Sequence, residues 1–133
     1  MTEPITIRLP FPPASLSPNA RMQPHAIRRD RRAYRAQVRA AAMNVLRTPG
    51  YAKPITPLPA PVTADVVFIV PDNRRRDEDN LLASLKAAWD ELVSIKLLAD
   101  DAHGQLHVRF GGLQVAKNER GVLVTLRTEG DTE

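Results

Sequence analysis

Residues 74–101, RRRDEDNLLASLKAAWDELVSIKLLADD, decide the fold because they place charged clusters at both ends of a helical pattern. Apolar residues recur here at spacings of three and four, which predicts an amphipathic helix over Asn80–Leu98. The residues that give this spacing are Leu81, Leu82, Leu85, Trp89, Leu92 and Val93. A chain reversal after the helix would bring Asp101 back to Asp77 and Asp79.

Three carboxylates held close together repel one another unless a cation or protons neutralise them. Hard oxygen ligands without cysteine or a nearby pair of histidines favour Mg²⁺ or Mn²⁺ over zinc. Such a metal site orients a water molecule and stabilises the charge that develops on a phosphate. Asp77, Asp79 and Asp101 are therefore candidate metal ligands.

An ordinary structural role accounts for the same aspartates. An Asp at the start of a helix is a capping residue that contributes about 1 kcal/mol, and Asp100 with Asp101 could form an acidic turn. The adjacent Arg74, Arg75 and Arg76 favour phosphate binding, because a helix cap does not require them.

Lys86 allows two interpretations. On the predicted helix it leans back toward the acidic cluster, where it could contact a scissile phosphate or the leaving oxygen. It could equally form an i,i+4 ion pair with Asp90, which contributes only a few tenths of a kcal/mol.

Composition limits the class of protein. The 133 residues suit one domain, and the absence of cysteine excludes disulfides and thiolate metal sites. No apolar run approaches the roughly 18 to 20 residues of a membrane span. The first residues, MTEPITIRLPFPP, do not resemble an export signal, so we expect a cytoplasmic protein.

The charge distribution predicts a polyanionic partner. The net charge is +4, and seven arginines but only one acid lie between residues 21 and 39. The segment Ile27–Arg47 has helical spacing, which predicts a helix with a basic outer face. Aromatic residues make up 5% of the chain, so contacts with a nucleic-acid backbone are favoured over base stacking.

The remaining segments predict an α+β domain with the order β-α-β-α-β-β and two helices on one side of a mixed or antiparallel sheet. Strands are expected at 5–9, 62–70 and 105–110, followed by a bulge or bend at Gly111-Gly112 and a hairpin that joins 113–116 to 122–127. Proline-rich loops are expected at 10–24 and 48–61, and a frayed tail at 128–133.

The combination of a basic run, D-E-D-N, K-A-A-W-D and the D-D pair resembles the RusA family of Holliday junction resolvases. The opening ITIRLPFPPASLSPN and the helical AYRAQV are also similar to that family. The resemblance covers most of the chain in matching order. It implies an α+β homodimer of bacterial or bacteriophage origin that cuts four-way DNA junctions symmetrically with Mg²⁺ or Mn²⁺.

By position, the resemblance implies that Asp77, Asp79 and Asp101 are the metal-binding aspartates and Lys86 the essential lysine. It further assigns Arg76 to the basic position before the first aspartate and Asn19 to a loop position. Residues predicted to contact DNA are Arg74, Arg75, Arg76, Asn19, Arg28, Arg32 and Arg35. The sequence departs from the family pattern in one respect, because a three-residue insertion leaves Ala83 where the lysine is expected.

Two alternatives to a junction resolvase remain open. The first is a metal-dependent nuclease of the same fold that acts on other branched DNA, such as flaps or forks. The second is a junction-binding protein without catalytic activity, in which the aspartates only cap the helix.

Overall fold

A computed structural model describes residues 4–48, 56–102 and 104–128. Its strands are β1 (Ile5–Leu9), β2 (Val62–Val70), β3 (Leu106–Val115) and β4 (Gly121–Thr128), and its helices are α1 (Pro24–Leu46), α2 (Glu78–Ala83) and α3 (Lys86–Ser94). A short 3₁₀ helix spans Ala14–Leu16. The architecture is α+β, as predicted.

The strand predicted at 62–70 is confirmed as β2, which lies inside the sheet. The strand order is β1-β4-β2-β3, in which β2 pairs parallel with β3 and antiparallel with β4, and β1 pairs antiparallel with β4. Alternate residues of β2, from Val62 to Val70, are almost fully buried, whereas Thr63 and Asp65 on the opposite face are half-buried. This alternation places the helices on one face of the sheet.

The predicted hairpin between β3 and β4 is wrong. Each of these strands pairs with β2, which lies between them. The connection 116–120 therefore crosses the carboxyl end of β2, where the Ala116 N–H donates to the Val70 carbonyl at 2.9 Å. The expected frayed tail is also wrong at Thr128, which ends β4, and its other residues lie outside the described ranges.

The predicted bulge at Gly111-Gly112 is confirmed. Val66 pairs with Phe110 and Val67 with Gly112, so Gly111 is an extra residue in β3. A Cβ at Gly111 would lie 3.0 Å from Val67 Cγ2 and 3.1 Å from the Val66 carbonyl oxygen. The close approach of β2 therefore requires glycine here.

The first predicted helix is confirmed as α1, although it begins at Pro24, three residues earlier than expected. Proline suits the first turn of a helix because the N–H groups there have no partner within the helix. Tyr34, Val38 and Ala42 are fully buried against the rest of the core. The Pro49-Gly50 pair that follows is typical of the end of a helix, and these two residues are outside the described ranges.

The second predicted helix is interrupted and shorter than expected. Ser84 and Leu85 separate α2 from α3, and the Ser84 hydroxyl donates to the Leu81 carbonyl at 2.6 Å. At the other end, Lys96 adopts a left-handed conformation with φ 66°. The N–H groups of Lys96 and Leu97 then donate to Val93 and Leu92 at 3.0 Å, an arrangement that ends a helix.

No helix within the described ranges is both long and apolar enough to cross a membrane.

Candidate functional site

The chain leaves β2 through a loop that Asp72 and Arg76 hold together. Asp72 Oδ1 accepts hydrogen bonds from the Arg74 N–H at 3.2 Å and from Arg76 Nη2 at 3.0 Å. Arg76 Nη1 also donates to the carbonyls of Asp72 and Arg74, at 3.0 and 2.9 Å. The bond from the Arg74 N–H, followed by the bond from Arg76, lowers the pKa of Asp72.

This loop gives the three predicted arginines different environments. The Arg76 side chain is only 8% exposed and supports the loop. Arg74 and Arg75 are exposed, so their side chains can reach a ligand. The Arg74 Nε atom lies 3.9 Å from Asp72 Oδ1, which is a loose ion pair.

Asp77 caps α2, as the structural interpretation predicts. Its Oδ1 accepts hydrogen bonds from the N–H groups of Asp79 at 2.9 Å and Asn80 at 3.3 Å. The Asp79 carboxylate is exposed and forms no hydrogen bond or ion pair with another described residue. Asp77 therefore has a structural role in addition to any ligand role, whereas the Asp79 carboxylate is available.

The structure brings Lys86 and Asp101 together. Lys86 Nζ donates to Asp101 Oδ2 and also lies 3.1 Å from Asp90 Oδ1. The ion pair with Asp90 is therefore present, and contact of Lys86 with a phosphate stays a prediction. The Asp101 contact, followed by the Asp90 contact, raises the pKa of Lys86, and the Lys86 hydrogen bond lowers the pKa of Asp101. The chain after α3 thus turns back onto the first residue of that helix.

Asp100 and Asp101 have different roles in this turn. Asp100 Oδ1 accepts a hydrogen bond from the Ala102 N–H at 3.1 Å, which stabilises the turn locally. Asp101 instead points to Lys86. The contacts therefore favour Asp101 as the functional member of the pair.

The described residues contain no group of three or more His, Asp or Glu side chains placed to hold one metal ion. The available carboxylate donors nevertheless suit Mg²⁺, which keeps several waters and binds proteins through one or two carboxylates together with substrate phosphates. A cage of three protein ligands is not required for that mode of binding.

A cleft of about 260 Å³ lies between the proline-rich loop and the start of α2. Residues from the loop and from α2 line it, together with cationic side chains from two connections. Its charged and amide side chains are those of Arg74, Arg76, Asp77, Asn80 and Arg120. Arg120 was not expected, because a β3–β4 hairpin would not have crossed β2. Asn19 is exposed outside this lining, with its N–H 3.4 Å from Ser17 Oγ.

A second, basic groove of about 470 Å³ follows α1. Its lining is Arg28, Arg31, Arg32, Arg35, Ala36, Arg39 and Glu91, so the three α1 arginines predicted to contact DNA share one surface.

Glu91 of α3 lies in the wall of this groove and was not anticipated from the sequence. Its side chain is 5% exposed, and its two oxygens accept hydrogen bonds from Arg35 Nε at 2.9 Å and Arg39 Nε at 2.7 Å. Because both bonds use Nε, the terminal nitrogens of the two guanidinium groups can face the groove.

A scan of protein-family models and a search of curated proteins find no match for this chain.

Proposed function

We propose that the chain is a Mg²⁺-dependent, structure-selective endodeoxyribonuclease that resolves four-way Holliday junctions by paired, symmetric cleavage. Mn²⁺ is expected to substitute for Mg²⁺. The observation that carries the proposal is the contact between Lys86 and Asp101. It brings the second acidic segment back to the helical region that begins after Asp77.

Asp77, Asp79 and Asp101 are the proposed donors to the metal ion, which would bind through one or two of these carboxylates together with substrate phosphates. When bound, the ion would supply Lewis-acid activation of the scissile phosphate. Asp79 is exposed and Asp77 has one carboxylate oxygen outside the helix cap, so both can contribute donors. Lys86 is 64% exposed and carries its charge beside Asp101. In this account its ammonium stabilises negative charge on the phosphate or the leaving oxygen.

The basic groove supports binding of DNA through its backbone. Arg28, Arg31 and Arg32 are exposed and line it together, and each phosphate they neutralise makes binding more sensitive to salt. We propose that the protein acts as a homodimer, because cutting two strands of one junction requires two sites and a two-fold dimer supplies them. The bacterial cytoplasm is its proposed location.

The proposal is tested with an end-labelled synthetic four-way junction beside flap, fork and linear duplex substrates, each with Mg²⁺ or EDTA. We expect cleavage of the junction with Mg²⁺ only, and loss of cleavage in Asp79→Asn. The matched control is Asp100→Asn, which removes the same charge from an aspartate assigned to the local turn.

Each alternative has its own outcome in this assay. Faster cleavage of flaps or forks than of the four-way junction would show that the protein is a nuclease for other branched DNA. If the wild-type protein binds the junction but does not cleave it with Mg²⁺, the protein is a junction-binding protein without catalytic activity.

A further inference from the structure

The connection between β3 and β4 brings a cation to the cleft beside Asp77. It crosses the carboxyl end of β2, where Ala116 bonds to Val70, and the chain from β2 continues directly into the arginine run. Arg120, the last residue before β4, consequently lines the same cleft as Arg74 and Arg76. These side chains converge from segments more than 40 residues apart.

Arg120 differs from the other cations of the cleft in having no ion pair with any described residue. Arg76 is paired with Asp72. The acid next to Arg120, Glu119, is paired instead with Arg8 at 3.3 Å. Asp77, the acidic residue of the lining, uses Oδ1 to cap α2. The cleft therefore contains a positive charge that the protein does not neutralise with a salt bridge.

An aromatic contact positions the Arg120 guanidinium. It lies 5.6 Å from the centroid of the Phe11 ring. The Phe11 ring in turn packs edge-on against the fully buried Phe68, with the ring centroids 5.8 Å apart. This cation–π contact with the ring face does not occupy the guanidinium N–H donors, which stay available for bidentate binding of a phosphate.

We propose that this cleft is a phosphate-binding subsite and that Arg120 is its principal ligand-binding residue. The inference rests on the proposed function, because the phosphate would belong to the backbone of the DNA strand presented to Asp77 and Asp79. A volume of about 260 Å³ is below the roughly 300 Å³ at which small-molecule sites begin. The lining includes three arginines and one acidic residue, an excess of positive charge that suits a phosphate group better than a nucleobase.

The test measures binding of a fluorescein-labelled four-way junction and of a labelled single strand, by anisotropy in EDTA over a range of salt concentrations. We compare wild type with Arg120→Ala, Arg120→Lys and Lys117→Ala. Lys117 is a matched control, because it is an exposed cation of the same connection that does not line the cleft. Thermal unfolding of each variant verifies that it is folded.

For each phosphate that Arg120 neutralises, Arg120→Ala should reduce the magnitude of the slope of log K against log salt by about 0.9 for the junction arms and about 0.7 for the single strand. Lys117→Ala should leave the slope unchanged. Arg120→Lys should recover the slope, because the charge is retained, but bind more weakly than wild type, because lysine lacks the bidentate fork.

Equal slopes for Arg120→Ala and Lys117→Ala would overturn the subsite, and would leave the proposed function standing if the wild-type protein cleaves the junction. Conversely, a shallower slope in Arg120→Ala alone supports the subsite even if the wild-type protein does not cleave. Absence of salt-dependent DNA binding by the wild-type protein would overturn the subsite and the proposed function together.

Discussion

Asp77 can be changed so that its capping role and its proposed catalytic role separate. Its Oδ1 caps α2 through two hydrogen bonds to backbone N–H groups, at 2.9 and 3.3 Å. Asparagine caps helices about as well as aspartate, whereas alanine lacks the acceptor and costs about 1 kcal/mol. Asp77→Asn therefore keeps the cap and removes the charge, and Asp77→Ala removes both.

We expect Asp77→Ala to lower the melting temperature by roughly 3–5 °C, the shift that about 1 kcal/mol produces in a domain of this size. Asp77→Asn should melt within about 1 °C of the wild-type protein, because its cap is intact. Both variants should lose at least about 100-fold in the rate of junction cleavage, because a ligand charge contributes several kcal/mol to stabilisation of the transition state. Calorimetry and a single-turnover cleavage assay measure the two effects on the same samples.

Two results would refute this reasoning. If Asp77→Asn cleaves the junction at the wild-type rate, Asp77 acts only as a helix cap. Equal destabilisation by the Asn and Ala substitutions would show that the two observed hydrogen bonds do not stabilise α2.

Three further predictions concern other contacts. Replacing Glu91 by Leu should lower the free energy of unfolding in urea by about 1–2 kcal/mol, because Arg35 and Arg39 are 34% and 58% exposed and can reach water. Replacing both arginines by Leu should lower it by about 3–5 kcal/mol, because the buried Glu91 carboxylate is then unpaired. Equal losses would contradict the burial of Glu91. Tyr34 is buried, donates to the Pro10 carbonyl at 2.8 Å and has a pKa raised by burial, so the unfolded chain loses this proton first. The free energy of unfolding should then fall by about 1.4 kcal/mol per pH unit above roughly pH 10, a fall that Tyr34→Phe lacks; parallel pH curves for the two proteins would exclude it. Lys86→Met should cost less than about 1 kcal/mol in stability, because the Lys86 side chain is 64% exposed and its ion pairs are screened by water. It should nevertheless slow junction cleavage by about 100-fold or more; a cleavage rate within a few-fold of wild type would show that Lys86 has no catalytic role.

Local patterns predicted the individual elements well, because burial of one face imposes its own period on the sequence. The alternation in β1, the β-branched apolar run in β2 and the helical spacing in α1 all correspond to residues that pack in the core. The same spacing concealed the break between α2 and α3, since Leu85 is fully buried and preserves the period through it. The hydrogen bond from Ser84 to Leu81 leaves no trace in that pattern.

Pairing between distant segments was predicted less well. The sequence predicted strands at 105–110 and 122–127 but could not show that β2 lies between β3 and β4. The site residues that depend on this topology were therefore missed, as with Arg120. Glu91 was missed for a related reason, because its partners on α1 are 52 and 56 residues away. The acidic turn after the helix predicted a chain reversal that brings Asp101 to Asp77 and Asp79. The reversal is present, but it brings Asp101 to Lys86, and no group of three acidic side chains placed to hold a metal forms among the described residues.

Paired cleavage of a cruciform extruded from a supercoiled plasmid tests the central claim most directly. Cutting opposite strands within the lifetime of one complex converts the plasmid to a linear molecule, whereas a single cut relaxes it to a nicked circle. We predict linear product with Mg²⁺ and none with EDTA or with Asp79→Asn. Nicked circles alone would contradict paired resolution, and intact supercoiled plasmid with Mg²⁺ would contradict nuclease activity on junctions.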